Sequence, residues 1–156
     1  MNKRHWLRPW QVNCHFKTSN QEMSAMPSIP KLSFEDTIKH LQDLRCEHHN
    51  PYLSMYSSWY GGIVTDPALM LVPIDDHQVH RGDGIFEAFK CLGGHIYLLD
   101  AHLDRLQRSA GLIDLTWPMS RSELHETIKE TIRAANVSDC LIRLYISRGP
   151  GDFSPN

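Results

Sequence analysis

The stretch from Val79 to Leu106, VHRGDGIFEAFKCLGGHIYLLDAHLDRL, predicts a strand, a tight turn, a second strand and a helix in succession. Residues 85–92 alternate with the period of two that is typical of a β-strand. One face would carry Phe86, Ala88 and Lys90, and the other Ile85, Glu87, Phe89 and Cys91. Because Gly93 and Gly94 tolerate positive φ, they predict a two-residue hairpin loop, with HIYLLD as the returning strand.

Helices are predicted on either side of these strands. The first covers Ser33–Arg45, with Ser33 as its N-cap. The second is expected to begin at Asp100 as N-cap. Its apolar stripe consists of Leu103, Leu106, Ala110 and Ile113. The third opens with SRSE at residues 120–123, the pattern of a capping box, and is expected to end near Asn136.

Further strands complete the predicted sheet. Residues 52–75 contain two apolar stretches, LSMYSSWYGGIVT and ALMLVPIDD, which predict two strands with turns between them. Residues 140–147 alternate again, with Arg143 and Tyr145 on the face opposite Ile142 and Leu144. This order of elements predicts an α+β domain, in which a mostly antiparallel sheet with hairpins carries helices packed on one side.

Composition narrows the class of protein. A length of 156 residues suits one domain, and 41% hydrophobic with 22% charged residues is typical of globular chains. A formal net charge of -2 provides no basic surface for nucleic acid, and no apolar run approaches the roughly 18 residues of a membrane span. The 4 cysteines lack the spacing of a zinc site or a disulfide framework, so we expect reduced thiols in the cytoplasm.

Several side chains suit chemistry, although each also has an ordinary structural interpretation. Arg143 is either a solvated arginine or, at the mouth of a cleft, a fork of donors for a carboxylate. Lys90 is either a solvated edge residue or an anion contact. Arg105 borders the apolar stripe of its helix and is either solvated or within reach of a phosphate. His77 and His80 have HxxH spacing, yet no further ligand is evident nearby, and no metal is expected.

Two longer stretches then resemble one family. Residues 70–113, MLVPIDDHQVHRGDGIFEAFKCLGGHIYLLDAHLDRLQRSAGLI, are followed by a helix and by residues 141–149, LIRLYISRG. Together they resemble the N-terminal domain of the class IV (fold type IV) pyridoxal-phosphate-dependent aminotransferases. That family includes branched-chain aminotransferase, D-amino acid aminotransferase and aminodeoxychorismate lyase. The resemblance covers residues 52–151.

The resemblance implies roles for single residues. Arg105, in HLDRL, matches the family arginine that holds the cofactor phosphate. Phe86 matches an aromatic position of the substrate pocket, and Arg143 matches a pocket arginine that binds the substrate carboxylate in some members. Lys90 faces the same cleft and is expected to assist with a carboxylate. Leu141 stands where branched-chain enzymes place a tyrosine.

The resemblance also implies a second domain. In this family the lysine that binds pyridoxal phosphate covalently, and the acid that pairs with its pyridine nitrogen, lie beyond the RG strand, whereas the last lysine here is Lys129. We therefore expect no catalytic residue among these residues and no transaminase activity from them alone. The implied parent enzyme transfers an amino group from an amino acid to a 2-oxo acid and works as a cytoplasmic homodimer.

Two alternatives to an aminotransferase remain open from the residues. An aminodeoxychorismate lyase would use the same cofactor, and a binding or dimerisation module would present the face of Phe86 and Arg143 to another chain. The basic leader is also compatible with an organelle transit peptide. The expected organisation is a disordered or mistranslated leader over 1–30, a helical extension over 31–51, the aminotransferase N-terminal domain over 52–152 and a truncated interdomain segment over 153–156.

Overall fold

The computed structural model describes residues 28–153 of the chain. The chain divides into two compact units, Met1–Glu47 and His48–Asn156. The predicted leader over residues 1–30 lies outside the described residues except for residues 28–30, which are exposed and form neither helix nor strand.

In the described part of the first unit, helix α1 spans Phe34–Asp43. The Ser33 side chain accepts a hydrogen bond from the Asp36 N–H at 3.1 Å, which confirms Ser33 as the N-cap. The helix ends two residues before the predicted Arg45, with Leu44 as its C-cap. No residue of α1 is buried.

The second unit begins with a small antiparallel hairpin. Strand β1 spans Met55–Ser57 and strand β2 spans Gly62–Val64. Gly61 precedes β2 in the left-handed region, at a φ of 67°, where a side chain would be strained. Both strands come from the first apolar stretch of residues 52–75, so a single stretch supplies the whole hairpin.

The second apolar stretch does not form the predicted strand, so that prediction is wrong. The Asp66 side chain accepts a hydrogen bond from the Ala68 N–H at 3.0 Å. Pro67, whose ring holds φ near the helical value, follows it directly. Together they begin a short 3-10 helix over Pro67–Leu69, because capping chemistry prevails over β propensity in this short run.

A three-stranded antiparallel sheet forms the centre of the second unit. Its strands are β3 at Gly84–Leu92, β4 at His95–Ile96 and β5 at Cys140–Ser147, in the order β4-β3-β5. A short helix, α2, precedes β3 at His77–Arg81. Strand β4 is shorter than predicted because Leu98 takes a left-handed backbone, at a φ of 48°, and the chain turns there into the next helix.

That helix, α3, spans Leu99–Leu112. The prediction of Asp100 as its N-cap is wrong, since Leu98 occupies the cap position and Asp100 lies in the first turn. An acid in the first turn still suits the positive end of the helix dipole. The Asp100 carboxylate instead forms an ion pair with Arg121 at 2.9 Å, which joins α3 to the start of the following helix.

The last helix, α4, spans Arg121–Ala135. Its capping box is confirmed: the Ser120 hydroxyl accepts from the Glu123 N–H, and the Glu123 carboxylate accepts from the Ser120 N–H at 2.8 Å. Asn136 ends the helix as predicted, and it does so in the left-handed region, at a φ of 52°.

Helices α3 and α4 cover one face of the sheet, and the core lies between the helices and the sheet. Leu103 and Leu106 of α3 are both 0% exposed. One core cluster comprises Phe89, Leu99, Leu103, Leu124 and Ile128, and the other Leu106, Ala110, Leu115 and Ile146. The α+β class with helices on one side of an antiparallel sheet is therefore confirmed. Within residues 28–153, no helix has the length and apolar character that a membrane crossing requires.

Candidate functional site

The face of the sheet opposite the helices is open and carries a compact set of side chains. The β3–β5 register places Phe86 opposite Tyr145, Ala88 opposite Arg143 and Lys90 opposite Leu141. All six are exposed, and we call this surface the open face. It brings together three residues singled out from the sequence, namely Phe86, Lys90 and Arg143.

An aromatic pair lies at one end of the open face. The ring centroids of Phe86 and Tyr145 are 5.8 Å apart, within the range of favourable aromatic contacts. Such a pair offers an apolar wall to the side chain of a small ligand. Beside it, the methyl group of Ala88 is too small to cover the neighbouring Arg143, so the arginine is accessible from the solvent.

Arg143 lies near the centre of the open face. Its Nη1 donates a hydrogen bond to the Tyr145 hydroxyl at 3.4 Å, and this bond raises the pKa of Arg143 above its usual value. Among residues 28–153 the guanidinium makes no other hydrogen bond. Its remaining donors therefore have the geometry to bind a carboxylate in two places at once.

The helix side of β3 carries a buried carboxylate. Glu87 is 4% exposed, and Arg105 of α3 donates to both of its oxygens, from Nε and from Nη2. His102 Nδ1 lies 2.9 Å from Glu87 Oε2. The hydrogen bonds from Arg105 outweigh the cost of burial and lower the pKa of Glu87 from 4.5 to about 2.

The Arg105 side chain is partly exposed to solvent. It is 59% exposed, although one edge of its guanidinium is bound by a buried acid. Glu87 accepts the N–H of Nε and one N–H of Nη2, and Nη2 also lies 3.4 Å from His102 Nδ1. The two N–H groups of Nη1 therefore remain without a partner among residues 28–153. A cationic group with several convergent donors fits a phosphate, which accepts hydrogen bonds on several oxygens.

Arg105 does not join the open face. Its partner Glu87 points to the helix side of β3, whereas Phe86 and Ala88, directly before and after it, point to the open side. The predicted phosphate contact and the predicted substrate wall therefore lie on opposite sides of one strand. Strand β3 connects them through consecutive residues.

Sequence reasoning misses Glu87 and His102 as members of this site. The available signal is a carboxylate at a core-facing position of a strand, which is rare unless the acid is paired. A histidine and an arginine three residues apart on the next helix are suitable partners, because residues i and i+3 share one helix face. That combination predicts a buried ion pair between strand and helix.

One groove of the described chain lies away from these residues. It has a volume of about 1180 Å³ and runs between the β3–β4 turn, the start of α3 and the outer side of α4. Lys129 lines it and forms an ion pair with Glu126 at 2.7 Å. None of the residues singled out for the cofactor or the substrate lines this groove.

Comparison with known proteins identifies a family. Residues 84–156 match the family model described as amino-transferase class IV. The matched range includes the open face, Glu87 and Arg105. The D-amino-acid transaminase, chloroplastic, of Arabidopsis thaliana is 43% identical over 102 residues, which cover 65% of this chain and 27% of that protein.

Solved structures give the same result. A hypothetical aminotransferase from Mycobacterium tuberculosis, in its PLP-bound form, matches with a TM-score of 0.51 and 33% identity, over 58% of this chain and 32% of that chain. The branched-chain amino acid aminotransferase of Escherichia coli matches with a TM-score of 0.55 and 27% identity, over 62% and 33% respectively. The chain thus spans about a third or less of the length of these relatives.

Proposed function

We propose that this chain, which belongs to the class IV aminotransferases, forms the part of an amino-acid aminotransferase that holds the phosphate of pyridoxal phosphate and lines one wall of the substrate site. Pyridoxal phosphate is the cofactor of the family. The observation that carries the proposal is the Arg105 guanidinium, which is fixed on one edge by a buried carboxylate and exposed on the other. The reaction proposed for the whole enzyme is amino transfer from an amino acid to a 2-oxo acid.

Each side chain of the site has a separate task in this proposal. When bound, pyridoxal phosphate supplies the electron sink for amino transfer. Arg105 binds its phosphate and so fixes the position of the ring relative to β3. Arg143, with Lys90 on the same face, binds the carboxylate of the amino acid or the 2-oxo acid. Phe86 and Tyr145 pack against the substrate side chain and exclude water from it.

Cofactor binding by the full chain tests the role of Arg105. We expect Arg105→Lys to weaken binding of pyridoxal phosphate by about tenfold or more, because lysine cannot keep both the bond to Glu87 and a fork to phosphate. Arg108→Lys is the matched control, since Arg108 lies one turn further on α3 and forms no ion pair within the described part of the chain. Equilibrium dialysis measures both, and equal affinity of the two variants would contradict the proposal.

Binding of a 2-oxo acid tests the open face. We expect 2-oxoglutarate to shift the NMR signals of Arg143 and Tyr145, and Arg143→Gln to abolish the shift, because the carboxylate loses its cationic partner. Arg133→Gln is the control, since Arg133 pairs with Glu130 on α4, away from the open face. Shifts that persist in Arg143→Gln would place the carboxylate elsewhere.

We also propose that the enzyme works as a homodimer in the cytoplasm. The family resemblance supports the dimer, and the free thiols of Cys91 and Cys140 support a reducing compartment. The competing location is the chloroplast, which the name of the Arabidopsis relative specifies for that protein. Light scattering of the full enzyme and fractionation of its source cells test the two statements separately.

A further inference from the structure

We propose that Glu87 is a positioning residue: it fixes the plane of the Arg105 guanidinium so that the opposite edge receives the cofactor phosphate. This inference rests on the proposed function, because it assigns the reason why Arg105 is ready to bind. Glu87 itself touches neither cofactor nor substrate in this proposal. It acts only through Arg105.

The burial of Glu87 is the first observation. A carboxylate on the core side of a strand loses its hydration, and a well-packed apolar residue at such a position is often as stabilising as an ion pair. The neighbours of Glu87 on this side of β3, Ile85 and Phe89, are apolar. Stability alone therefore gives no reason for an acid here, whereas the need to hold an arginine in one orientation does.

The geometry of the pair is the second observation. Arg105 donates to the two Glu87 oxygens from Nε and Nη2, so the carboxylate occupies the side edge of the guanidinium. This arrangement fixes the plane of the group. The Nη1 group, which takes no part in the contact with Glu87, lies on the other edge of the guanidinium, and the side chain is 59% exposed.

A second arginine of the chain makes the same contact with an acid but has no open edge. Arg148 binds Asp83 in the same way, from Nε and Nη2. Its other donors, however, are taken by two carbonyl oxygens: Nη1 donates to Asp114 at 3.1 Å and Nη2 to Ile113 at 2.8 Å. Arg148 is therefore closed on both edges and serves to tie β5 to the end of α3. Within residues 28–153, Nη1 of Arg105 has no hydrogen-bond partner.

His102 is a second partner of the carboxylate. Its Nδ1 lies 2.9 Å from Glu87 Oε2, and its ring packs against Phe89 with centroids 5.1 Å apart. The carboxylate thus has two partners and cannot rotate away from Arg105 without also breaking its contact with His102. A positioning role requires a rigid acceptor, because a mobile carboxylate would leave the guanidinium of Arg105 mobile as well.

The positioning role and the charge of Glu87 predict opposite changes in phosphate affinity when the carboxylate is removed. Glu87 is negative, so it repels a phosphate and partly neutralises Arg105. If charge were all that mattered, removing the carboxylate would strengthen phosphate binding. If positioning matters more, the freed arginine must lose rotamer entropy on binding, and phosphate binding weakens.

The experiment follows the Arg105 side-chain Nε–H signal by NMR in the full chain during titration with inorganic phosphate. Arg105→Lys identifies the signal by removing it. In Glu87→Gln we expect this signal to broaden and the phosphate affinity at Arg105 to fall by about tenfold. Asp83→Asn is the control, because it breaks the matched pair of Arg148, and it should leave the Arg105 signal and its affinity unchanged.

The possible results separate the two proposals. If phosphate never shifts the Arg105 signal in the unmutated chain, the proposed function is wrong. If phosphate binds at Arg105 but Glu87→Gln binds it equally well or more tightly, only the positioning role is overturned. If Glu87→Gln does not fold, the positioning role is tested in the unmutated chain, by measuring the rate at which the Arg105 Nε–H exchanges with solvent. Protection that persists at saturating phosphate supports the proposal, and loss of protection contradicts it.

Discussion

At the scale of single residues, Glu87 shows how a costly group is tolerated in a small core. Its carboxylate is nearly without solvent contact, and it is compensated by a guanidinium and an imidazole rather than by water. Removal of one partner from such a pair leaves an uncompensated buried charge, which costs more than the pair contributes. The residue therefore couples stability to the site.

The pH dependence of stability tests this coupling. The pKa of Glu87 is about 2 in the folded chain, below its ordinary 4.5, so its contribution is complete above pH 4.5 and is lost as the pH falls from 4.5 towards 2. We expect a loss on the order of 3 kcal/mol across this range. Urea unfolding at several pH values measures it.

Glu87→Gln provides the reference for that measurement. The amide does not titrate, so the difference in unfolding free energy between the two proteins should narrow as the pH falls below 4.5. The exposed acids Asp100 and Glu126 also have lowered pKa values, because of Arg121 and Lys129 respectively, but they are common to both proteins. If the difference in unfolding free energy stays constant down to pH 2, the pKa of Glu87 is not the source of the pH dependence.

At the scale of elements, α2 is held by the chain that follows β5. The His77 N–H donates to the Gly149 carbonyl and the Gly151 N–H to the Asp75 carbonyl, each at 3.0 Å. The Ser147 hydroxyl donates to Asp76 at 2.7 Å. The start of α2 and the end of β5, which are far apart in sequence, are therefore joined by hydrogen bonds next to the start of β3.

Gly151 lies close to the ring of His77. A Cβ at Gly151 would lie 1.7 Å from His77 Nε2, so Gly151→Ala must displace the imidazole. Because the displaced atoms belong to the end of a partly exposed side chain, we expect a loss of up to about 1 kcal/mol in the free energy of unfolding. Gly111→Ala is the control: no atom lies within 4 Å of its Cβ, and alanine near the end of α3 should add up to about 1 kcal/mol. Equal effects in thermal unfolding would refute the close contact.

At the scale of the whole second unit, the two core clusters form one continuous core. Both contact Trp117 and Leu144, so packing is continuous from the start of α3 to its end. A single continuous core favours cooperative unfolding of this unit. The open face contributes little to it, because its side chains face solvent.

A truncation in the core tests that continuity. Leu103 is 0% exposed, and Leu103→Ala should cost about 2–5 kcal/mol because it leaves a cavity. Leu112→Ala makes the same chemical change on the same helix at a residue that is 86% exposed, and it should cost less than about 0.5 kcal/mol. Both are measured by urea denaturation, and a Leu103 variant as stable as the Leu112 variant would place Leu103 outside the core.

The sequence by itself determined the features that depend on neighbours along the chain. Strand β5 has its predicted bounds, the capping box of α4 forms as predicted, and the faces of β3 carry the predicted residues. These outcomes are local, because alternation and capping involve residues within one turn or one strand. The family resemblance rests on the same short stretches.

The tertiary structure alone decided what meets across elements. The left-handed Leu98 shortens β4 and moves the start of α3, and the β3–β5 register places Ala88 opposite Arg143. The contact of Glu87 with Arg105, 18 residues later, depends on how α3 lies against β3. The physical reason is that side-chain partners between elements are set by packing and register, which a local pattern does not specify.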